Sequence, residues 1–155
     1  MATTPEEETR TRTGAGFESF PVNVRVKISA LWTAMLFVFV YVDVFSLYRA
    51  DVRADIEAGE IGGFTIGQPF LLGTTVYVAI PALMVFASLI LPARVARVAN
   101  LALGVIYALT IVGGAIGEWN YYVVGSALEV SALVAIAVYA WTWPRSGAPG
   151  SSPTA

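Results

Sequence analysis

Two carboxylic acids stand inside runs of apolar residues. Asp43 interrupts FVFVYVDVFSLYR, and Glu129 interrupts YYVVGSALEVSALVAIAVY. A carboxyl group in such a setting can take up a proton, hold a cation or accept hydrogen bonds from a polar ligand. Two together can also serve as acid and base. A charged aspartate in mid-bilayer costs ~3 kcal/mol on an insertion scale, so each group is expected to face a bundle interior or a wet cavity. At ~1.5 Å per residue, Asp43 lies ~7 Å below Tyr48 and Glu129 lies ~12 Å below Tyr121. Both therefore fall in the same half of a bilayer, with Glu118 at the surface above them.

Helical spacing groups other residues with each acid. Tyr122, Gly125, Ser126, Glu129 and Ala132 share one face by steps of three and four. Leu36, Val40, Asp43 and Leu47 form the matching stripe, with Phe39 and Ser46 alongside. No Lys or Arg lies at that depth, and Arg49, the nearest cation, would have to bend inward to reach Asp43. Asp43, Glu129, Tyr122, Ser126 and Glu118 are thus the candidates for binding a ligand or a proton. A purely structural account competes with this one. Each acid would stay protonated and hydrogen-bond to a neighbouring helix, a contact averaging ~0.6 kcal/mol.

The elements that carry these residues follow from composition. The chain of 155 residues is 57% hydrophobic and 13% charged, where a soluble domain is roughly a quarter charged. Four apolar runs result, Ile28–Tyr48, Phe70–Leu91, Val95–Ile116 and Tyr121–Trp143. Each is near the ~20 residues that cross a hydrocarbon core of ~30 Å, and none shows the polar stripe of a soluble helix. The expected fold is all-α, a membrane-embedded bundle of four antiparallel transmembrane helices over 25–143. The links PAR (92–94) and GEWN (117–120) are short enough to make their helices antiparallel neighbours. Polar tails, residues 1–24 and 144–155, are expected to be disordered. Between Arg49 and Pro69, DVRADIEAG reads as a short helix with Asp51 as N-cap and Gly59 as its stop, and GGFTIGQP as irregular chain.

Orientation follows from the basic residues. Arg10, Arg12, Arg25, Lys27, Arg94, Arg97 and Arg145 fall on one side, against Arg49 and Arg53 on the other. Both termini are therefore expected in the cytoplasm, in the inner membrane. Trp141 and Trp143 mark one interface, and Tyr48, Trp119, Tyr121 and Tyr122 the other. Pro81 is expected to kink the second span. Gly113 and Gly117 form a small-xxx-small pair that allows close helix contact, within the monomer or between copies. Asn100 reads as interhelical glue, and Thr74, Thr75 and Tyr77 either line a cavity or bond to their own helix.

Several classes are excluded or lack support. The chain has no cysteine and no histidine, which removes disulfides, thiol chemistry, the commonest metal ligand and the usual proton shuttle. There is no phosphate-cradling loop, nucleophile–histidine pair, metal cluster or basic patch for nucleic acid, so no cofactor, metal or nucleic-acid partner is expected.

The segments LWTAMLFVFVYVDVFSLYR, GGFTIGQPFLLGTTVYVAIPALMVFASLIL, RVANLALGVIYAL and NYYVVGSALEV resemble an uncharacterised group of small bacterial four-helix membrane proteins, classed as a domain of unknown function. The likeness runs from about Leu31 to Trp143. Tyr41–Asp43 and QPFLLG (68–73) are its most telling parts. It implies four helices and a membrane location, and no activity. Two readings of function stand beside the bilayer as a partner. One is a small binding or transport protein with a polar pocket around the two acids, taking a small polar ligand or a proton. The other is a non-catalytic subunit that docks onto a membrane partner or onto itself. An intramembrane enzyme, the third, has no cosubstrate site in the sequence.

Overall fold

The computed structural model describes residues 21–143. The expected tails fall outside these residues, except for 21–24. The described chain is all-α apart from one small hairpin. Its elements are α1 (Val24–Ser46), α2 (Ala50–Glu57), β1 (Glu60–Ile61), β2 (Phe64–Thr65), α3 (Gln68–Ile90), α4 (Ala93–Gly114) and α5 (Asn120–Trp141). Helices α1, α3, α4 and α5 are each long and apolar enough to cross a membrane.

Helix α1 begins before its apolar run because its first turn is provided for. Asn23 caps it, its side-chain oxygen accepting from the Arg25 amide at 2.9 Å. The Arg25 guanidinium then donates to the carbonyls of Ser88, Leu89 and Leu91, at 3.2, 3.1 and 2.7 Å. A cation thus satisfies the last turn of α3, where orphan carbonyls and the negative end of the helix dipole meet. Arg25 also stacks over Trp143, as Lys27 does over Tyr139 and Arg97 over Trp141. These contacts define a terminal end of the molecule, where α1 starts and α5 finishes.

At the opposite, loop end, Arg53 donates to the carbonyls of Leu47 and Tyr48 and closes α1. Helix α2 starts one residue before the expected cap. Arg49 is its N-cap and Asp51 lies in its first turn, so Asp51 complements the positive helix end by charge. Gly59, at φ +81°, follows the C-cap residue Ala58. The stretch expected to be irregular forms a hairpin instead. Glu60 pairs with Thr65 and Ile61 with Phe64, around Gly62 and Gly63 at φ +55° and +81°. Two positive-φ residues are what a two-residue turn between antiparallel strands requires. Phe64 stacks on Phe70 and ties the hairpin to α3.

The four long helices form a ring in which sequence neighbours run antiparallel, and α1 and α5 close it. Ser29 and Val85 pair α1 with α3, and Ser88 with Asn100 pairs α3 with α4. Arg97 with Trp141 pairs α4 with α5. The α1–α5 seam is close at the loop end. A Cβ on Gly125 would overlap a methyl of Val42, and Ser46 shares a hydrogen bond of 2.8 Å with Tyr121.

The core is concentrated at the terminal end. Ile28, Trp32, Met35, Met84, Leu133, Ile136 and Ala140 pack there, with Tyr107 and Ile111 above them. Asn100 is fully buried in this core. Its side-chain oxygen accepts from Trp32 Nε1 at 2.6 Å and from Ser88 Oγ at 3.2 Å, and its amide donates to the Ala96 carbonyl. One side chain therefore ties α1, α3 and α4 together, as expected of interhelical glue. Outside the core, large apolar side chains such as Phe37, Leu83, Phe86 and Leu109 are more than 60% exposed. An apolar surface of this extent matches a lipid surround.

Candidate functional site

Towards the loop end the ring encloses a cavity of about 160 Å³. All four long helices line it: Phe39, Val42 and Asp43 from α1, Tyr77 from α3, Thr110 and Ile111 from α4, Tyr122 and Glu129 from α5. Both intramembrane acids face one space. Helix α5 brings Glu129 there because Gly125, Ser126, Glu129, Leu133 and Ile136 recur by threes and fours on its buried face. Glu129 is only 3% exposed. No ion pair among the described residues reaches either acid. No buried side-chain oxygen among the described residues is sealed away without a partner. The carboxyl oxygens of Glu129 therefore look into the cavity.

Asp43 sits differently from the expected stripe. Its stripe-mates Val40 and Leu47 are about half exposed. The face of α1 that packs is Ile28, Trp32, Met35, Phe39, Val42 and Ser46, one residue out of step. One residue is ~100° of helix, so Asp43 falls at the edge of the packed face rather than at its centre. There it is exposed and forms the rim of the cavity.

The opening lies on the α3 side. Residues 71–76 of α3 are exposed on every face, and packing begins only at Tyr77. Phe39 meets Tyr77 across the α1–α3 pair, so one turn further on Asp43 stands level with Gly73. A Cβ on Gly73 would meet nothing within 4 Å. Asp43 and Thr110, on the two helices that flank α3, are both exposed at this level. The first turns of α3 thus stand clear of the ring, and the cavity opens beside them.

Pro81 lies one turn beyond Tyr77, where the packed part of α3 begins. It lies buried inside α3 and has no amide hydrogen for the carbonyl four residues back, which belongs to Tyr77. That carbonyl accepts the Tyr107 hydroxyl at 2.5 Å instead. The Thr110 hydroxyl donates to the Tyr107 carbonyl, so Tyr77 O–H donates to Thr110 Oγ1 at 2.7 Å. The Tyr77 and Tyr107 rings pack at 4.7 Å, and Trp32 meets Tyr107 edge-on. This aromatic block floors the cavity and separates it from the core below.

Other expected site residues fall elsewhere. Glu118 takes no part in the cavity lining. It pairs with Arg49 at 2.5 Å above it. Arg49 also grips Asp51 at 2.6 Å and stacks over Trp119, so it points away from Asp43. The Arg49 hydrogen bonds hold the Asp51 carboxyl below the usual carboxylate range. Ser126 is buried on the Glu129 face, outside the cavity lining. Tyr122 is on the wall. Thr74 and Thr75 bond to the carbonyls of Phe70 and Leu71 in their own helix. Within the described chain, no close helix contact forms at Gly113 or Gly117. A Cβ on Gly113 meets nothing within 4 Å, and Gly117 takes φ +85° in the turn beyond α4. The close approach falls at Gly125 instead.

A family model, described as a family of unknown function (DUF6326), matches residues 18–148. The chain belongs to the DUF6326 family. The match spans all four long helices and every residue of the cavity, so the site lies within the matched residues. No curated protein and no solved structure matches the chain. The chemistry of the DUF6326 pocket therefore has to be read from its lining.

Sequence reasoning missed Val42, Thr110 and Ile111 as wall residues, and the Tyr107 clamp on α3. One signal for the clamp was present. A proline in a long apolar helix leaves a carbonyl four residues back in need of a donor, and tyrosine is one of the few donors such a helix carries.

Proposed function

We propose that this chain is a small binding or transport protein of the inner membrane, with both termini cytoplasmic and a pocket that takes a proton, a cation or a polar ligand from the outer half of the bilayer. One observation carries the reading. Glu129 is buried in a cavity that it shares with Asp43, and no cation of the described chain offsets either acid. Intramembrane acids kept for packing would be satisfied by neighbours, as Asn100 is. The orientation rests on Arg25, Lys27, Arg94 and Arg97 at the terminal end, against Arg49 and Arg53 at the loop end.

The absence of cysteine supplies a clean test. A single Ile111→Cys places a thiol on the cavity wall, and Ile136→Cys places one in the closed core. In proteoliposomes, an impermeant thiosulfonate added on the loop-end side should modify Ile111→Cys and leave Ile136→Cys untouched. Equal inertness of the two would remove the pocket reading. Modification of Ile111→Cys from the terminal side alone would reverse the orientation.

A further inference from the structure

We infer that the pocket binds a small organic ammonium ion, which passes Asp43 at the rim and comes to rest against Glu129. This rests on the pocket reading above and adds the class of ligand. The walls decide it. Phe39, Tyr77 and Tyr122 present aromatic rings, Asp43 and Glu129 present carboxyl groups, and no basic side chain lines the space. Aromatic faces attract a cation through their quadrupole, and do so most strongly when it is a poorly hydrated ammonium. The carboxylates supply the countercharge, and the low-polarity surround of the helices strengthens both effects. Glu129 adds the second mark of a built site: it is 3% exposed, faces the cavity and has no ion-pair partner among the described residues.

Other ligands fit less well. An anion would meet two acids and no donor cation. A hard metal ion takes about six oxygens or more, and no group of three or more acidic, histidine or cysteine side chains occurs among the described residues. The carbonyl that Pro81 frees, the most available backbone ligand nearby, is already held by Tyr107. A bare proton needs neither aromatic walls nor this much space. Size sets the upper limit. A cavity of roughly 150 Å³ holds benzene, about six heavy atoms, so 160 Å³ suits methylammonium or tetramethylammonium and excludes tetrabutylammonium.

The test uses the full chain in nanodiscs at constant ionic strength. Tetramethylammonium chloride should slow modification of Ile111→Cys at least tenfold relative to sodium chloride, and tetrabutylammonium should not. Adding Glu129→Gln should abolish the protection, and Asp43→Asn should weaken it. Glu129→Asp, which keeps the charge, guards against loss of fold and should retain part of the effect. Tyr122→Leu should reduce protection more than Tyr122→Phe. If Ile111→Cys reacts freely and tetramethylammonium protects no better than sodium, the ligand class is wrong and the pocket stands. If protection survives Glu129→Gln unchanged, the assignment to Glu129 is wrong. If Ile111→Cys never reacts, both readings fall together.

Discussion

The two ends of the helical ring handle polar groups in opposite ways. At the terminal end, Asn100 is sealed in and fully partnered by Trp32, Ser88 and Ala96, and cations close the helix ends over tryptophan and tyrosine rings. At the loop end, two acids line a cavity with no countercharge, and the first turns of α3 make no packed face. The same four helices build both ends. Polarity within the membrane is therefore not one category here: a partnered group holds helices together, and an unpartnered one is available to something else.

The loop end is not loose throughout, and this gives the largest expected effect. Its α1–α5 seam is closed by Gly125 against Val42. Gly125→Ala forces a methyl into Val42 and should destabilise by ~1–3 kcal/mol, the range for overpacking. Val42→Ala makes room and should restore most of the loss in the double variant, as read by unfolding in detergent. Additive losses would mean that the seam is not the tight contact described.

The contrast between polar groups is tested next. Asn100→Ala strands the Trp32 indole N–H and the Ser88 hydroxyl in the core and should cost ~1–3 kcal/mol, the penalty of an unsatisfied buried donor. Glu129→Gln and Asp43→Asn, with nothing to lose, should stay within ~0.5 kcal/mol of the parent. If the acid variants unfold as readily as Asn100→Ala, the acids are structural after all and the comparison fails.

Much of this was legible beforehand, for stated reasons. The four spans follow from run length, and the face carrying Gly125, Ser126 and Glu129 follows from helical periodicity, because each depends on one segment alone. The register of α1 was not legible. Leu36, Val40, Asp43 and Leu47 satisfy the same spacing as Met35, Phe39, Val42 and Ser46, and only partners on other helices choose between them. Trp32 binding Asn100 and Val42 seating against Gly125 make that choice. The glycines show the same limit. Gly113 and Gly117 have a packing motif's spacing, but one faces open space and the other turns the chain. The hairpin was missed because its strands are two residues each, too short for periodicity, although Gly62–Gly63 carried the turn signal.

The boundary between the two ends lies at Pro81, and a double-mutant cycle addresses it. Tyr107→Phe removes the donor to the Tyr77 carbonyl and should cost ~0.6–1.7 kcal/mol, the range for interhelical hydrogen bonds in membranes. Pro81→Ala restores the amide that this carbonyl lacks within its own helix. In that background Tyr107→Phe should cost almost nothing. The same Pro81→Ala change should let α3 run straighter and slow modification of Ile111→Cys, because the opening beside Gly73 depends on the departure of α3. An unchanged rate would separate the opening from the proline.

The smallest effect belongs to the ion pairs above the cavity. Arg49 joins Asp51 and Glu118, and pairs this close to water contribute little and weaken with salt. Glu118→Gln should therefore barely move stability and should leave tetramethylammonium protection of Ile111→Cys intact, since Glu118 lines no part of the cavity. The acid side gives the sign of the remaining contribution. Asp51 is held below its ordinary carboxylate range by Arg49, so the stability it adds is present above the unfolded carboxylate value and is lost as pH falls through the folded one. Asp51→Asn should flatten that part of the acid unfolding curve. If Glu118→Gln removed ligand protection as fully as Glu129→Gln, the binding site would extend up to Arg49, and the line drawn between surface pairing and buried acid would have to move outward.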